Sequence, residues 1–166
     1  MQIRIETGDD LRRVSRGLRL LADGKEIRKR FVREVGKEIR PIANEVRAAY
    51  RAAPSKDQPN PPGRGDLRRL LARATTASVR TSGRQAGVTL RVDGRKMPPG
   101  MGGVPGMYEG RRPWRHPVFG QRRTWVRQDS RPTFDRIVAA RAPAVGRRVQ
   151  GLADELARDV VKGSRG

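Results

Sequence analysis

Ile27, Phe31, Val35, Ile39, Ile42, Val46 and Ala49 recur every three or four residues. Over a window this long, only an α-helix brings such residues onto one face. The spacing predicts a helix from about Lys25 to Ala53, with Arg28, Lys29, Arg33, Lys37 and Arg47 on its other sides. Pro41 falls inside it. An internal proline removes a backbone hydrogen bond and costs roughly 3 kcal/mol, so a kink near residues 37–41 is expected. A junction of two packed helices is the alternative. A second stripe, Phe134, Val138, Val145, Val149, Leu152, Leu156 and Val160, predicts a last helix from Pro132 or Thr133 to about Lys162. Pro143 marks a kink or a break in it, and residues 163–166 read as a frayed end.

Between the stripes the period changes from helical to two. Thr75–Thr81 and Ala86–Val92 alternate β-branched with polar residues, and Ser82-Gly83-Arg84-Gln85 can turn between them. They predict an antiparallel hairpin with Val88, Leu90 and Val92 on the face that packs against the long helix. Gln2–Glu6 reads as a short strand, followed by a short helix carrying Leu11, Val14, Leu18 and Leu21. Leu67–Ala74 reads as another, with Asp66 as its cap. The segments 54–65 and 93–113 are rich in proline and glycine and read as loops, the second a flexible one that orders against a neighbouring subunit if at all. The fold expected is α+β in one domain: a small antiparallel sheet on a long kinked N-terminal helix and a C-terminal helix.

Large side chains are scarce, and they are concentrated. Both tryptophans (Trp114 and Trp125), the only histidine (His116) and two of the three phenylalanines (Phe119 and Phe134) fall within about twenty residues. Pro117 stiffens the same stretch. The reading is an aromatic clasp over residues 114–131 that ties the middle of the chain to the sheet and the last helix, with Phe119 and Trp125 buried against the hairpin.

Lys+Arg 38 against Asp+Glu 17 gives a net charge of +21 over 166 residues. Such a field attracts phosphate polymers, and each neutralised phosphate steepens the salt dependence of binding. The same arginines can instead face acidic partner subunits, or simply serve as solvated surface cations. Arg111, Arg112, Arg115, Arg122 and Arg123 surround the aromatic stretch and are the candidates for contact with DNA or an acidic partner.

Chemistry of the usual kinds has little to work with. There is no cysteine, which excludes disulfides and thiolate metal sites. One histidine makes a zinc site improbable. His116 lies between Arg115 and Pro117, with no nearby serine and aspartate pattern to complete a triad. Glu109 and Asp129 flank the region among cations and read as salt-bridge partners rather than an acid–base pair. No enzyme activity, cofactor or metal is expected. No apolar run approaches the ~20 residues needed to cross a bilayer, and the N-terminus lacks the apolar stretch of a signal peptide.

The order of elements carries a resemblance. Ala52-Ala53-Pro54 ends the long helix, and Gly65-Asp66-Leu67-Arg68 opens the next. A hairpin and a Gly/Pro segment follow. Then come Arg115-His116-Pro117-Val118-Phe119-Gly120, Trp125-Val126-Arg127-Gln128 and Pro132-Thr133-Phe134 before the last helix. This resembles the tail-component family of long-tailed bacteriophages, in the form found in phages and prophages of actinobacteria. The match spans most of residues 25–160. Many relatives carry a Glu-Phe-Gly signature before the His-Pro stretch, where this chain has Tyr108-Glu109-Gly110.

The resemblance implies a structural virion protein: a tail-completion or neck subunit at the head–tail junction or upper tail, assembled in the host cytoplasm. It implies a homo-oligomeric ring, commonly a hexamer, beside connector, tail-terminator or tail-tube proteins, with DNA passing through it and no membrane contact. The subunit interface expected on this basis involves Leu67, Leu70, Trp114, His116, Pro117, Phe119 and Trp125. A basic protein that coats or condenses DNA is the rival expectation.

Overall fold

The computed structural model describes residues 2–5, 24–54, 67–80, 87–118 and 121–163. The short helix expected around Leu11–Leu21, the 55–66 segment with its Asp66 cap, the turn at 82–85 and Phe119 lie outside them, as do the side chains of Ile27 and Val160. In chain order the elements are β1 (Gln2–Ile5), α1 (Gly24–Ala52), α2 (Leu67–Ala74), β2 (Thr75–Arg80), β3 (Gly87–Val92), α3 (Val104–Tyr108), β4 (Trp114–Val118), β5 (Gln121–Gln128) and α4 (Thr133–Gly163). The α+β architecture expected from the sequence is present, with two long helices and small antiparallel sheets.

The apolar stripe of α1 becomes the centre of the core. Phe31, Val35, Ile39, Ile42, Val46 and Tyr50 are all buried. Pro41 sits on the exposed side, and the helix runs through it without a break. Burying a side chain of this size is worth about 1.5–3 kcal/mol, so the neighbours Ile39, Ile42 and Val46 together outweigh the roughly 3 kcal/mol a proline costs. The same reasoning carries α4 through Pro143, whose neighbours Val138, Val145 and Val149 are buried. Neither proline divides its helix.

The two long helices lie antiparallel. Arg141 pairs with Glu45 at 3.2 Å and Arg148 with Glu38 at 3.5 Å, so a step of seven residues up one helix matches seven down the other. Seven residues is two helical turns, which keeps both contacts on one seam.

The first sheet has the order β1-β3-β2, all antiparallel. Thr75 pairs with Val92 and Arg80 with Gly87, so the expected hairpin forms in full register. Val88, Leu90 and Val92 are buried in the same core as the α1 stripe. The junction of α2 and β2 is pinned by polar groups. Thr75 Oγ1 donates to the Leu71 carbonyl at 3.0 Å, and Arg47 Nη2 donates from α1 to the Thr75 carbonyl at 2.9 Å.

Two expectations need correction. The 93–113 segment is not a loop awaiting a neighbour. It contains a 3-10 turn at Gly94–Lys96 and the helix α3, and it buries Met97, Val104 and Tyr108 in the chain's own core. Asp93 starts the turn. Its carboxylate accepts from the backbone N–H of Arg95 at 3.2 Å and is held by the Arg91 and Arg95 guanidiniums. The hydrogen bond from Arg95 holds its pKa below the ordinary aspartate value. Gly94 and Gly102 bring two stretches of backbone together, which the composition reported only as glycine richness.

The aromatic clasp does not hold at Trp125, although Trp114 and Phe134 do pack with the core. Residues 114–118 and 121–128 form a two-stranded ribbon, β4 with β5, that pairs with no other described strand, and Trp125 is 53% exposed rather than buried against the hairpin. A ribbon whose inner hydrogen bonds are made between its own two strands has no need of the core to complete them.

Candidate functional site

The joint between the middle of the chain and the last helix is built from Tyr50, Tyr108, Glu109 and Phe134. Tyr50, near the end of α1, donates from Oη to Glu109 Oε1 at 2.6 Å. Its ring meets Tyr108 edge to face, with centroids 5.8 Å apart. The other Glu109 oxygen accepts the backbone N–H of Phe134 at 2.9 Å. Phe134 lies in the first turn of α4, where backbone N–H groups have no partner within the helix. Glu109 thus caps α4 from a distant part of the chain, and its charge lies favourably at the positive end of the helix dipole. Burial nevertheless pushes its carboxyl above the usual glutamate value, against the hydrogen bonds from Tyr50 and the backbone of Phe134 and Asp135 that stabilise the charged form. Burial also raises the hydroxyls of Tyr50 and Tyr108. The salt-bridge role expected for Glu109 is therefore wrong: it is only 4% exposed and its described partners are a phenol and backbone amides.

This joint sets the base of the ribbon. The Arg131 N–H donates to the Tyr108 carbonyl at 2.6 Å, and Ser130 Oγ lies against the carbonyls of Met107 and Arg112. Both strand ends are therefore tied to α3 and to the start of α4. Trp114, at the first position of β4, is half-buried and packs on the core. Further along, Arg115 pairs with Arg127, His116 with Val126 and Pro117 with Trp125. The register shifts between Pro117 and Val118, where Val118 pairs with Gln121, so β5 carries a bulge near the tip.

The residues expected at the functional surface are distributed unevenly. Arg111, Arg112 and Arg115 are exposed at and above the ribbon base. His116, Pro117, Arg122 and Arg123 lie on the ribbon strands; their side chains fall outside the description. Leu67 and Leu70 are half-buried and lean on the chain's own core. Arg127, two residues after Trp125 in a period-two segment, is exposed and lies on the face of that residue.

Elsewhere, an open groove of about 560 Å³ runs between α1 and α4, lined by Glu45, Ala48, Ala49, Ala52, Arg136, Ile137 and Ala140. Its one carboxylate, Glu45, is engaged by Arg141. Among the described residues no group of three metal-ligating side chains occurs, and no helix is long and apolar enough to cross a membrane. No protein-family model, curated protein or solved structure matches the chain at a significant level.

Proposed function

We propose that this chain is a structural subunit of a tailed-bacteriophage virion, a tail-completion or neck protein that assembles with copies of itself into a ring through which DNA passes. The observation that carries this reading is the β4–β5 ribbon. It joins no other described strand, so the outer edges of its two strands are not taken up by a neighbouring described strand. Such edges recruit further strands. A head-to-tail contact that repeats around an axis closes into a ring. His116 and Pro117 lie on such an edge, in the segment that carries most of the resemblance to phage tail components. The structural role needs no cofactor and no catalytic group.

The experiment is native mass measurement with negative-stain imaging, alone and with neighbouring connector and tail proteins. Closed rings, six-membered by the family resemblance, support the reading. Monomers under every condition overturn it. The net charge of +21 favours the second reading, a protein that coats duplex DNA. That reading requires tight duplex binding by the isolated chain, lost steeply with salt.

A further inference from the structure

Arg115 and Arg127 face each other across the ribbon as a directly opposed pair. Like charges in this position repel and destabilise a two-stranded sheet. Other arginines of this chain are met by acids: Arg91 and Arg95 by Asp93, Arg141 by Glu45, Arg148 by Glu38. The ribbon has no such relief of its own. From Arg111 to Gln128 the sequence contains six arginines and no carboxylate. Two residues from Arg127, on the same face, Trp125 stands 53% exposed.

We propose that this face, Trp125 beside the opposed Arg115 and Arg127, is a binding site for a single-stranded nucleic acid. The indole stacks on a base and the two guanidiniums take neighbouring phosphates. Directly opposed residues on a ribbon have Cβ atoms about 4.5–5.5 Å apart, and each guanidinium ends a long, adaptable side chain. The pair is close enough for its guanidiniums to take neighbouring phosphates, and a bound polyanion relieves the repulsion between them.

An acidic protein surface would satisfy the charge equally well; Trp125 decides between them. A protein contact built on a tryptophan places it in an apolar pocket with a rim that excludes water. Here the other large exposed apolar side chains among the described residues, Met107 and Val161, lie outside the ribbon, and the opposed Arg115 and Arg127 stand beside Trp125 on its face. An exposed aromatic ring beside cations is the arrangement that stacks on bases and tracks a phosphate backbone. Stacking needs an unpaired base, which selects a single strand over a duplex. The site occupies the face of the ribbon and leaves its edges free, so it stands whether or not the chain forms a ring.

The test uses the full chain with a labelled oligothymidylate of about 12 nucleotides, within the span of a single-strand site. Affinity is read by anisotropy over a salt series and stacking by intrinsic tryptophan quenching. Circular dichroism and native mass, recorded on every variant, report folding and assembly separately from binding. The wild-type chain is expected to bind with quenching. Trp125→Ala should weaken binding about tenfold at unchanged salt slope, and Trp125→Phe should restore most of it. Arg115→Ala with Arg127→Ala should lower the slope of log affinity against log salt by about 1.4, the value for two lost single-strand phosphate contacts. Variants that are folded and bind like wild type overturn the proposal. So does tighter binding of a matched duplex without quenching. Binding of poly-glutamate in preference to the oligonucleotide also overturns it, and assigns the face to an acidic protein.

Discussion

Tyr50 and Glu109, 59 residues apart, meet in a 2.6 Å hydrogen bond inside the core, with both side chains almost wholly buried. This contact joins α1 to the end of α3, and through the second Glu109 oxygen it reaches the first turn of α4. Three parts of the chain are fixed relative to one another by a single carboxylate. The ribbon rises from the same joint, so the geometry of its base depends on it.

Tyr50→Phe keeps the ring and its edge-to-face contact with Tyr108 but removes the donor to Glu109. A buried charged acceptor that loses a partner costs about 1–3 kcal/mol. We expect the variant to fold and to lose stability in that range by urea denaturation. A loss of less than ~0.5 kcal/mol would mean that the hydroxyl contributes little and that ring packing alone holds the joint.

The pH dependence follows from the raised pKa of Glu109. Between the unfolded value, near 4.5, and the higher folded value, the native state binds more protons than the unfolded state. This group's contribution is fully present below the unfolded value and is lost as pH rises through the folded value. Asp93 and Glu34 are shifted downward, so their contributions are present above their unfolded values and are lost at lower pH. Glu109→Gln should therefore flatten the dependence of stability on pH from about 4.5 upward, while leaving the loss below pH 4 in place. Denaturation midpoints across this range check it; an unchanged slope above pH 4.5 would show that Glu109 does not titrate there.

The two long helices and the hairpin were legible in the sequence because each repeats a short period over many residues. Phe31 to Val46 and Phe134 to Leu156 hold their stripes on spacing alone, and burial overrides the two prolines. The Tyr50–Glu109 joint was not legible. No local spacing links residues so far apart, and a glutamate among arginines reads as a surface ion pair until burial is known. The Gly/Pro stretch was misread for a related reason. Composition reports how freely a backbone can move, whereas Met97, Val104 and Tyr108 are held by tertiary packing. Trp125 failed in the opposite direction: aromatic residues favour cores on average, but the ribbon leaves this one outside.

Burial and exposed charge should separate cleanly along α4. Phe134 is fully buried, and Phe134→Ala should cost about 3–5 kcal/mol through lost burial and the cavity left behind. Arg141→Ala breaks an ion pair with Glu45 in which both side chains are largely exposed, at 58% and 43%. Pairs of this kind contribute roughly 0–1 kcal/mol and are screened by salt. The expected result is a large shift in urea midpoint for the first and little change for the second. A comparable loss for Arg141→Ala would point to the seam between α1 and α4 being fixed by charge rather than by packing.

Two glycines in the 93–113 segment should respond with opposite signs. A Cβ at Gly94 would overlap the backbone carbonyl oxygen of Gly102, and backbone has no rotamer with which to give way. Gly94→Ala must therefore push the 3-10 turn and the approach to α3 apart, and we expect a loss of about 1–3 kcal/mol, typical of overpacking. Gly106 lies inside α3, and a Cβ there meets nothing within 4 Å. Alanine at that position restricts the unfolded chain and suits a helix, which favours the folded state by about 0.4–1 kcal/mol. Thermal denaturation of the two variants checks the pair. Indifference to both substitutions would mean that the segment does not hold its packed arrangement in solution. Opposite shifts would show that this proline- and glycine-rich stretch is a folded part of the core and supports the base of the ribbon.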